Sequence, residues 1–255
     1  MCLIVIGIDA HPDYPLILLG NRDEFYERPT KNFFFWKGKE FYAGKDLEAG
    51  GTWMAVAKSG KFAAITNIRD PKNLKLNCPS RGNIVVDFMD HKFMTIDFLK
   101  NLKEKCLDYN GFNIICGDLN GQYFMNSYEK DIILLEKGVY GLSNGSLNSD
   151  WPKVNEIRAH FKDALSNNYI DNQLLMAIME SNIKYDESTL PNTGISIEME
   201  KLLSPIFIQS PIYGTRSTTL LSIHYNGLLT IIEKNHLLSS TINVNTFIKK
   251  MKFDN

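Results

Sequence analysis

The chain has 255 residues, 44% of them hydrophobic and 22% charged, with 28 Lys and Arg set against 29 Asp and Glu. That length supports a full hydrophobic core, and a net charge of -1 excludes an electrostatic case for binding nucleic acid or an anionic membrane. The four cysteines, Cys2, Cys78, Cys106 and Cys116, make no Cys-x-x-Cys pair and no zinc spacing with histidine.

Thiols used this sparsely in a chain this long fit a reducing compartment, so the expected location is the cytoplasm. The apolar N-terminal stretch has no basic residue before it and is interrupted by Asp9, so it reads as a strand and not as a secretory signal. No apolar run approaches the ~20 residues that span a bilayer, and no transmembrane segment is expected. There is no low-complexity linker or repeat, so residues 1–255 read as one domain.

In chain order, Leu3–Asp9 and Leu16–Gly20 are apolar runs joined by a turn containing Pro12 and Asp13, the pattern of paired strands. Phe33–Trp36 and Phe41–Ala43 flank Lys37-Gly38-Lys39 as a hairpin, and Thr52–Lys58 and Lys61–Asn67 flank Ser59-Gly60 as another. Ile84, Val85, Phe88 and Met89 share a helix face, as do Ile96, Leu99 and Leu102. Strands return at Phe112–Cys116, Tyr123–Met125 and Ile132–Leu135. Pro152 suits a first helical turn capped by Asp150 or Ser149. Val154, Ile157, Phe161 and Leu165 form its stripe, and Leu174, Leu175, Ile178 and Met179 form the next. Thr215–Tyr225 and Leu228–Lys234 flank Asn226-Gly227, a type I′ hairpin signal. Helices come in blocks rather than one per strand, which predicts an α+β fold of two packed antiparallel sheets with helices outside.

Chemistry is expected where polar residues interrupt these apolar runs. Cys2 directly follows Met1. It is either a small buried hydrophobe opening a strand or, once Met1 is removed, a nucleophile whose own α-amine serves as base. If residues 16–20 run antiparallel to the first strand, Asn21-Arg22-Asp23-Glu24 returns to the Cys2 end. There Arg22 would favour thiolate and Asp23 would orient the amine; the alternative is a solvated turn with a surface ion pair. Gly50-Gly51 allow close backbone approach, and Trp53 reads as core or pocket wall. Asn67 and Asn144 stand at strand ends, where a side-chain amide can donate to an oxyanion or simply form a turn. Arg69 follows Asn67 closely. Arg216 lies in an apolar strand and needs a partner if it is buried.

Together these motifs carry a resemblance. Met1-Cys2, Asn21-Arg22-Asp23-Glu24, Gly50-Gly51-Thr52-Trp53, Thr66-Asn67, Ser80-Arg81-Gly82, Gly111-Phe112-Asn113, Gly141-Leu142-Ser143-Asn144 and Tyr213-Gly214-Thr215-Arg216-Ser217 resemble, in order, the NRDE family, the homologues of transport and Golgi organisation protein 2. The resemblance implies the four-layer αββα sandwich of N-terminal nucleophile hydrolases. It also implies a more distant likeness to choloylglycine hydrolases and penicillin V acylases. On that likeness Cys2, Arg22, Asp23, Asn144 and Arg216 are the catalytic positions, with Asn67 as a second oxyanion donor. Asn21, Glu24, Trp53 and Arg69 would bind substrate, and either Asp23 or Glu24 faces the amine. The implied reaction is amide hydrolysis by Cys2 with no cofactor or metal required. The same resemblance implies an alternative, a non-catalytic carrier for haem or an acyl or lipid ligand in the same cleft. The aromatic residues Phe33–Trp36, Phe41, Tyr42 and Trp53 suit that apolar ligand.

Overall fold

The structure, a computed structural model, describes residues 2–248. The chain opens with strands β1 (Cys2–His11), β2 (Tyr14–Phe25), β3 (Thr30–Trp36), β4 (Phe41–Asp46), β5 (Met54–Ala57) and β6 (Phe62–Asn67). Helices α1 (Gly82–Asp90) and α2 (Thr95–Lys105) follow, then β7 (Phe112–Asp118), β8 (Gly121–Asn126), β9 (Ile132–Leu134) and β10 (Gly138–Leu142). Helices α3 (Pro152–Leu165), α4 (Asn172–Ala177) and α5 (Ile197–Leu202) precede β11 (Tyr213–Ile223), β12 (Leu228–Asn235) and β13 (Ser240–Phe247). One sheet has six strands in the order β10-β1-β2-β11-β12-β13, the other seven in the order β3 to β9. Every pairing is antiparallel.

Strand β1 accounts for the layering. Ile4, Ile6 and Ile8 turn inward with Leu16 and Leu18 of β2 and meet Val56, Phe62, Ile115 and Phe124 of the other sheet. Leu3 and Val5 turn the other way, onto Val154, Ile157 and Phe161 of α3. A strand covered on both faces has to be apolar at every position, which is why this stretch shows no polar alternation. The second sheet mirrors the first: Phe112, Ile114 and Cys116 pack under α1 and α2, while Ile115 faces the first sheet. Each such side chain contributes about 1.5–3 kcal/mol when fully buried, so apolar pattern rather than surface charge sets the layer order. The result is the expected αββα sandwich.

Several local expectations are corrected. Helix α3 begins with Pro152 in its first turn, but Trp151 occupies the cap position without a side-chain bond; Asp150 instead accepts from the Asn155 amide. Helix α4 is short because Asp171 caps it and the chain tightens at Ile178–Glu180. Leu174 is therefore exposed, and Met176 takes its place inside. On α2, Phe98 fills the core position while Ile96 is half-buried. The β11–β12 hairpin forms, but only Gly227 has positive φ, at 90°. With Gly227 N–H donating to the His224 carbonyl, the connection is a type I turn followed by a left-handed glycine, not type I′. Strand β13, which was not expected, forms an edge of the six-stranded sheet. No helix among the described residues is long and apolar enough to cross a membrane.

Candidate active site

Hairpin register brings the first two motifs together. Cys2 pairs directly with Arg22, and paired residues share a face of the sheet. That face looks toward the second sheet, and the two sheets part here into a cleft of about 570 Å³. Cys2, Arg22, Asp23, Glu24, Trp53 and Asn67 all line it. Six of the ten expected site residues thus converge on one cavity. Desolvation pushes the Cys2 thiol above its ordinary value.

Arg22 is buried and held on three sides. It donates to Thr30 Oγ1 at 3.3 Å and to Asp46 Oδ2 at 3.2 Å, and its guanidinium lies 4.6 Å from the centre of the Trp53 ring. Glu24 Oε2 stands 4.0 Å away. Asp23 is buried, and its Oδ1 accepts from Thr215 Oγ1 at 2.7 Å. Burial pushes this carboxyl up, while Lys153 and Thr215 oppose the rise. Whether an α-amine faces Asp23 or Glu24 depends on the residue before Cys2, and Met1 lies outside the described residues.

The remaining four expected residues sit elsewhere. Asn21 adjoins Arg22 and so faces the helical layer, where its amide donates to the Met179 and Ile206 carbonyls at 2.9 Å each. Asn144 donates through Nδ2 to the Asn67 carbonyl at 2.8 Å, and its own carbonyl accepts from Arg69 N–H at 2.8 Å. It straps the end of β6 rather than lining the cleft. Arg69, carried away by that strap, pairs with buried Glu200 at 2.5 Å and lies 5.2 Å from the Trp151 ring centre. Arg216 is the extra residue of a bulge between Thr215 and Ser217. It is buried and finds its partners in the Phe25 carbonyl, at 3.0 Å, and the Arg28 carbonyl. Of the aromatic residues expected to line an apolar site, Trp53 alone does so; Phe33 and Phe41 are core.

Several cleft residues carried no role in the sequence reading. Arg28 donates to Asp46 at 2.7 Å. Against the cost of burial, that bond holds the Asp46 carboxyl below its ordinary value. Arg81 and Cys78 form the facing wall. Burial lowers the Arg81 value, and Cys2, Glu24 and Cys78 all act on it. Arg81 belongs to a motif, but nothing in its spacing says that it faces Cys2. The glycine motifs explain this wall. A Cβ on Gly51 would lie 2.5 Å from the Gly82 carbonyl carbon, and Thr52 N–H donates to the Gly82 carbonyl at 3.2 Å. Gly50-Gly51 and Ser80-Arg81-Gly82 therefore fit together, backbone on backbone. Thr66 and Asn113 act likewise. Thr66 Oγ1 donates to the Ser143 carbonyl at 2.7 Å and Asn113 Nδ2 to the Gly145 carbonyl at 2.8 Å, stitching one sheet to the loop after β10. The four cysteines are free, and the described residues hold no cluster of His, Cys, Asp and Glu that could bind a metal.

This architecture, two antiparallel sheets between helical layers with Cys2 on the first strand, is the N-terminal nucleophile hydrolase fold. Solved structures agree at the level of fold. A Clostridium perfringens conjugated bile acid hydrolase mutant matches with a TM-score of 0.52 and 8% identity, covering 99% of this chain and 98% of that one. A Caenorhabditis elegans N-acylethanolamine-hydrolyzing acid amidase orthologue matches with a TM-score of 0.52 and 8% identity, over 86% of this chain and 92% of that one.

Sequence comparison then fixes the family. The family model described as Transport and Golgi organisation 2 matches residues 1–237. The Bos taurus transport and Golgi organization protein 2 homolog is 32% identical over 93% of this chain and 94% of its own length. The Homo sapiens homolog is 32% identical over 92% of each. The chain belongs to the Transport and Golgi organisation 2 family, the NRDE family.

Proposed function

We propose that this protein is a cysteine amide hydrolase of the N-terminal nucleophile type, with Cys2 as nucleophile once Met1 is removed. The observation that carries the proposal is the direct Cys2–Arg22 pairing at the floor of the cleft. In this reading Sγ attacks the amide carbonyl carbon. The thiol proton passes to the Cys2 α-amine and then to the leaving amine as the C–N bond breaks. Water hydrolyses the resulting thioester and regenerates the thiol. Asn67, which lines the cleft, donates to the oxyanion in this reading, a contribution typically worth ~3 kcal/mol. Asn144 holds the Asn67 backbone in place, and Arg216 holds the turn bearing Arg28. The fold neighbours, a bile acid hydrolase and an acid amidase, support the reaction class.

A second reading has its own support. Desolvation favours the neutral Cys2 thiol, and the Asn144 amide is already engaged. Both suit a cleft that binds a haem, acyl or lipid ligand without chemistry. One experiment separates the two readings. Protein confirmed as Met-free by intact mass is assayed against N-acyl amides and titrated with haemin, alongside Cys2→Ala. Turnover lost in Cys2→Ala supports the hydrolase. Haemin binding retained in Cys2→Ala, with no turnover in either protein, supports the carrier and overturns the hydrolase.

A further inference from the structure

A second concavity, of about 740 Å³, lies between the start of β10 and helix α3. It is not an extension of the cleft. Ala10, near the end of β1, lines it, and eight steps along the strand separate Ala10 from Cys2, roughly 26 Å. Its volume falls within the range of small-molecule pockets, ~300–1,000 Å³.

Its lining combines two chemistries. Ala10, Val139 and Leu165 give it an apolar floor, and Lys137, Arg158 and Lys162 surround that floor. No Asp or Glu lines it. Among the described residues none of these three cations takes part in an ion pair. A protein with balanced charge has carboxylates to spare, so three unpaired cations around one depression are a local feature of the surface.

Arg158 is the built part of the site. A Cβ on Gly141 would lie 2.7 Å from both Cγ and Cδ of Arg158. The absence of that Cβ lets the arginine stem lie flat on the sheet edge, which fixes where the guanidinium emerges. Its Nε is buried and has no hydrogen-bond partner. With Nε enclosed, the terminal Nη1 and Nη2 pair is the edge that reaches the groove, and it can receive a phosphoryl or carboxylate group bidentately.

We propose that this groove binds an organic phosphate monoester as a monomer. The phosphoryl head sits on the Arg158 fork between Lys137 and Lys162, and a short aliphatic body lies on Ala10, Val139 and Leu165. A dianionic head matches three unpaired cations better than a single carboxylate does. The site is independent of Cys2 and of the hydrolase reading.

Calorimetric titration of the full chain with octyl phosphate tests this. Saturable one-to-one binding is expected, with octanol and inorganic phosphate each weaker by about tenfold or more, since each supplies half of the contacts. Arg158→Lys keeps the charge but loses the fork, and should weaken binding by about tenfold. Lys137→Glu with Lys162→Glu changes only exposed side chains and should weaken it further. Cys2→Ala should bind as the wild type does. The proposal is overturned by any of three results. One is no saturable octyl phosphate binding in the millimolar range. Another is unchanged affinity in both the Arg158→Lys and the double-lysine variants. The third is co-sedimentation with phosphatidic acid vesicles without octyl phosphate binding, which would make the patch a membrane surface contact.

Discussion

Glu233→Gln is expected to stabilise the protein above neutral pH and to change little in acid. Glu233 lies on β12, 1% exposed, and points between the sheets. Its Oε1 accepts from Phe33 N–H on β3 at 2.8 Å, and its Oε2 from Thr219 Oγ1 at 3.4 Å. These two donors do not offset burial, which pushes the carboxyl from 4.5 up to about 7. A raised acid favours the protonated form in the fold, so its contribution is complete below pH 4.5 and is lost as pH rises through 7. Between pH 5 and pH 8 the loss amounts to about 2.5 kcal/mol. Glutamine still accepts from Phe33 and carries no charge to desolvate. Urea unfolding of both proteins at pH 5 and pH 8, followed by tryptophan fluorescence, measures the effect. The variant should gain about 2.5 kcal/mol on the wild type between these two conditions. An equal difference at both pH values, or a variant less stable at pH 8, would refute the reasoning.

Three further outcomes are expected. Burial lowers the Lys153 ammonium from 10.5 to about 8. The charged form is therefore penalised in the fold below pH 8 and relieved as pH rises toward 10.5, so the wild type should gain about 3 kcal/mol on Lys153→Met across that window. Unfolding curves at pH 7.5 and pH 10.5 check this. Gly51→Ala drives a methyl group into the Gly82 backbone. It should cost about 1–3 kcal/mol and slow Cys2 alkylation by displacing the Arg81 wall, as melting and labelling rates would show. Asn113→Ala removes the donor to the Gly145 carbonyl and the acceptor for Asn126. It leaves buried polar groups unmatched at a cost of about 2–3 kcal/mol, readable by denaturant unfolding.

The layers were legible in the sequence because burial on both faces leaves a residue pattern. Leu3–Ile6 could not be a half-exposed strand. The meeting of Cys2 and Arg22 was legible for the same reason: once two apolar runs pair antiparallel, the residues at their open ends must meet. The assignment of Asn21 was not recoverable from adjacency, because strand neighbours point to opposite faces and Asn21 serves the helical layer. Asn144 and Asn67 both looked like free amides at strand ends, yet one is bonded to the backbone of the other. Arg28, Asp46 and Arg81 gave no usable signal, since they enter the cleft from loops and strand ends whose positions depend on packing between the sheets. The glycine motifs were visible, but their reason, contact between two distant backbones, is a property of the folded chain.

The central claim is that Cys2 is the reactive group of the cleft. It is tested most directly by treating Met-free protein with an amide-mimicking β-lactone and locating the adduct by peptide mass spectrometry. The account predicts one acyl adduct on Cys2, slowed when Arg22 is replaced by Met, while buried Cys106 and Cys116 stay unmodified. An unmodified Cys2 beside an acylated Cys78, the other partly exposed thiol of the cleft, would contradict it.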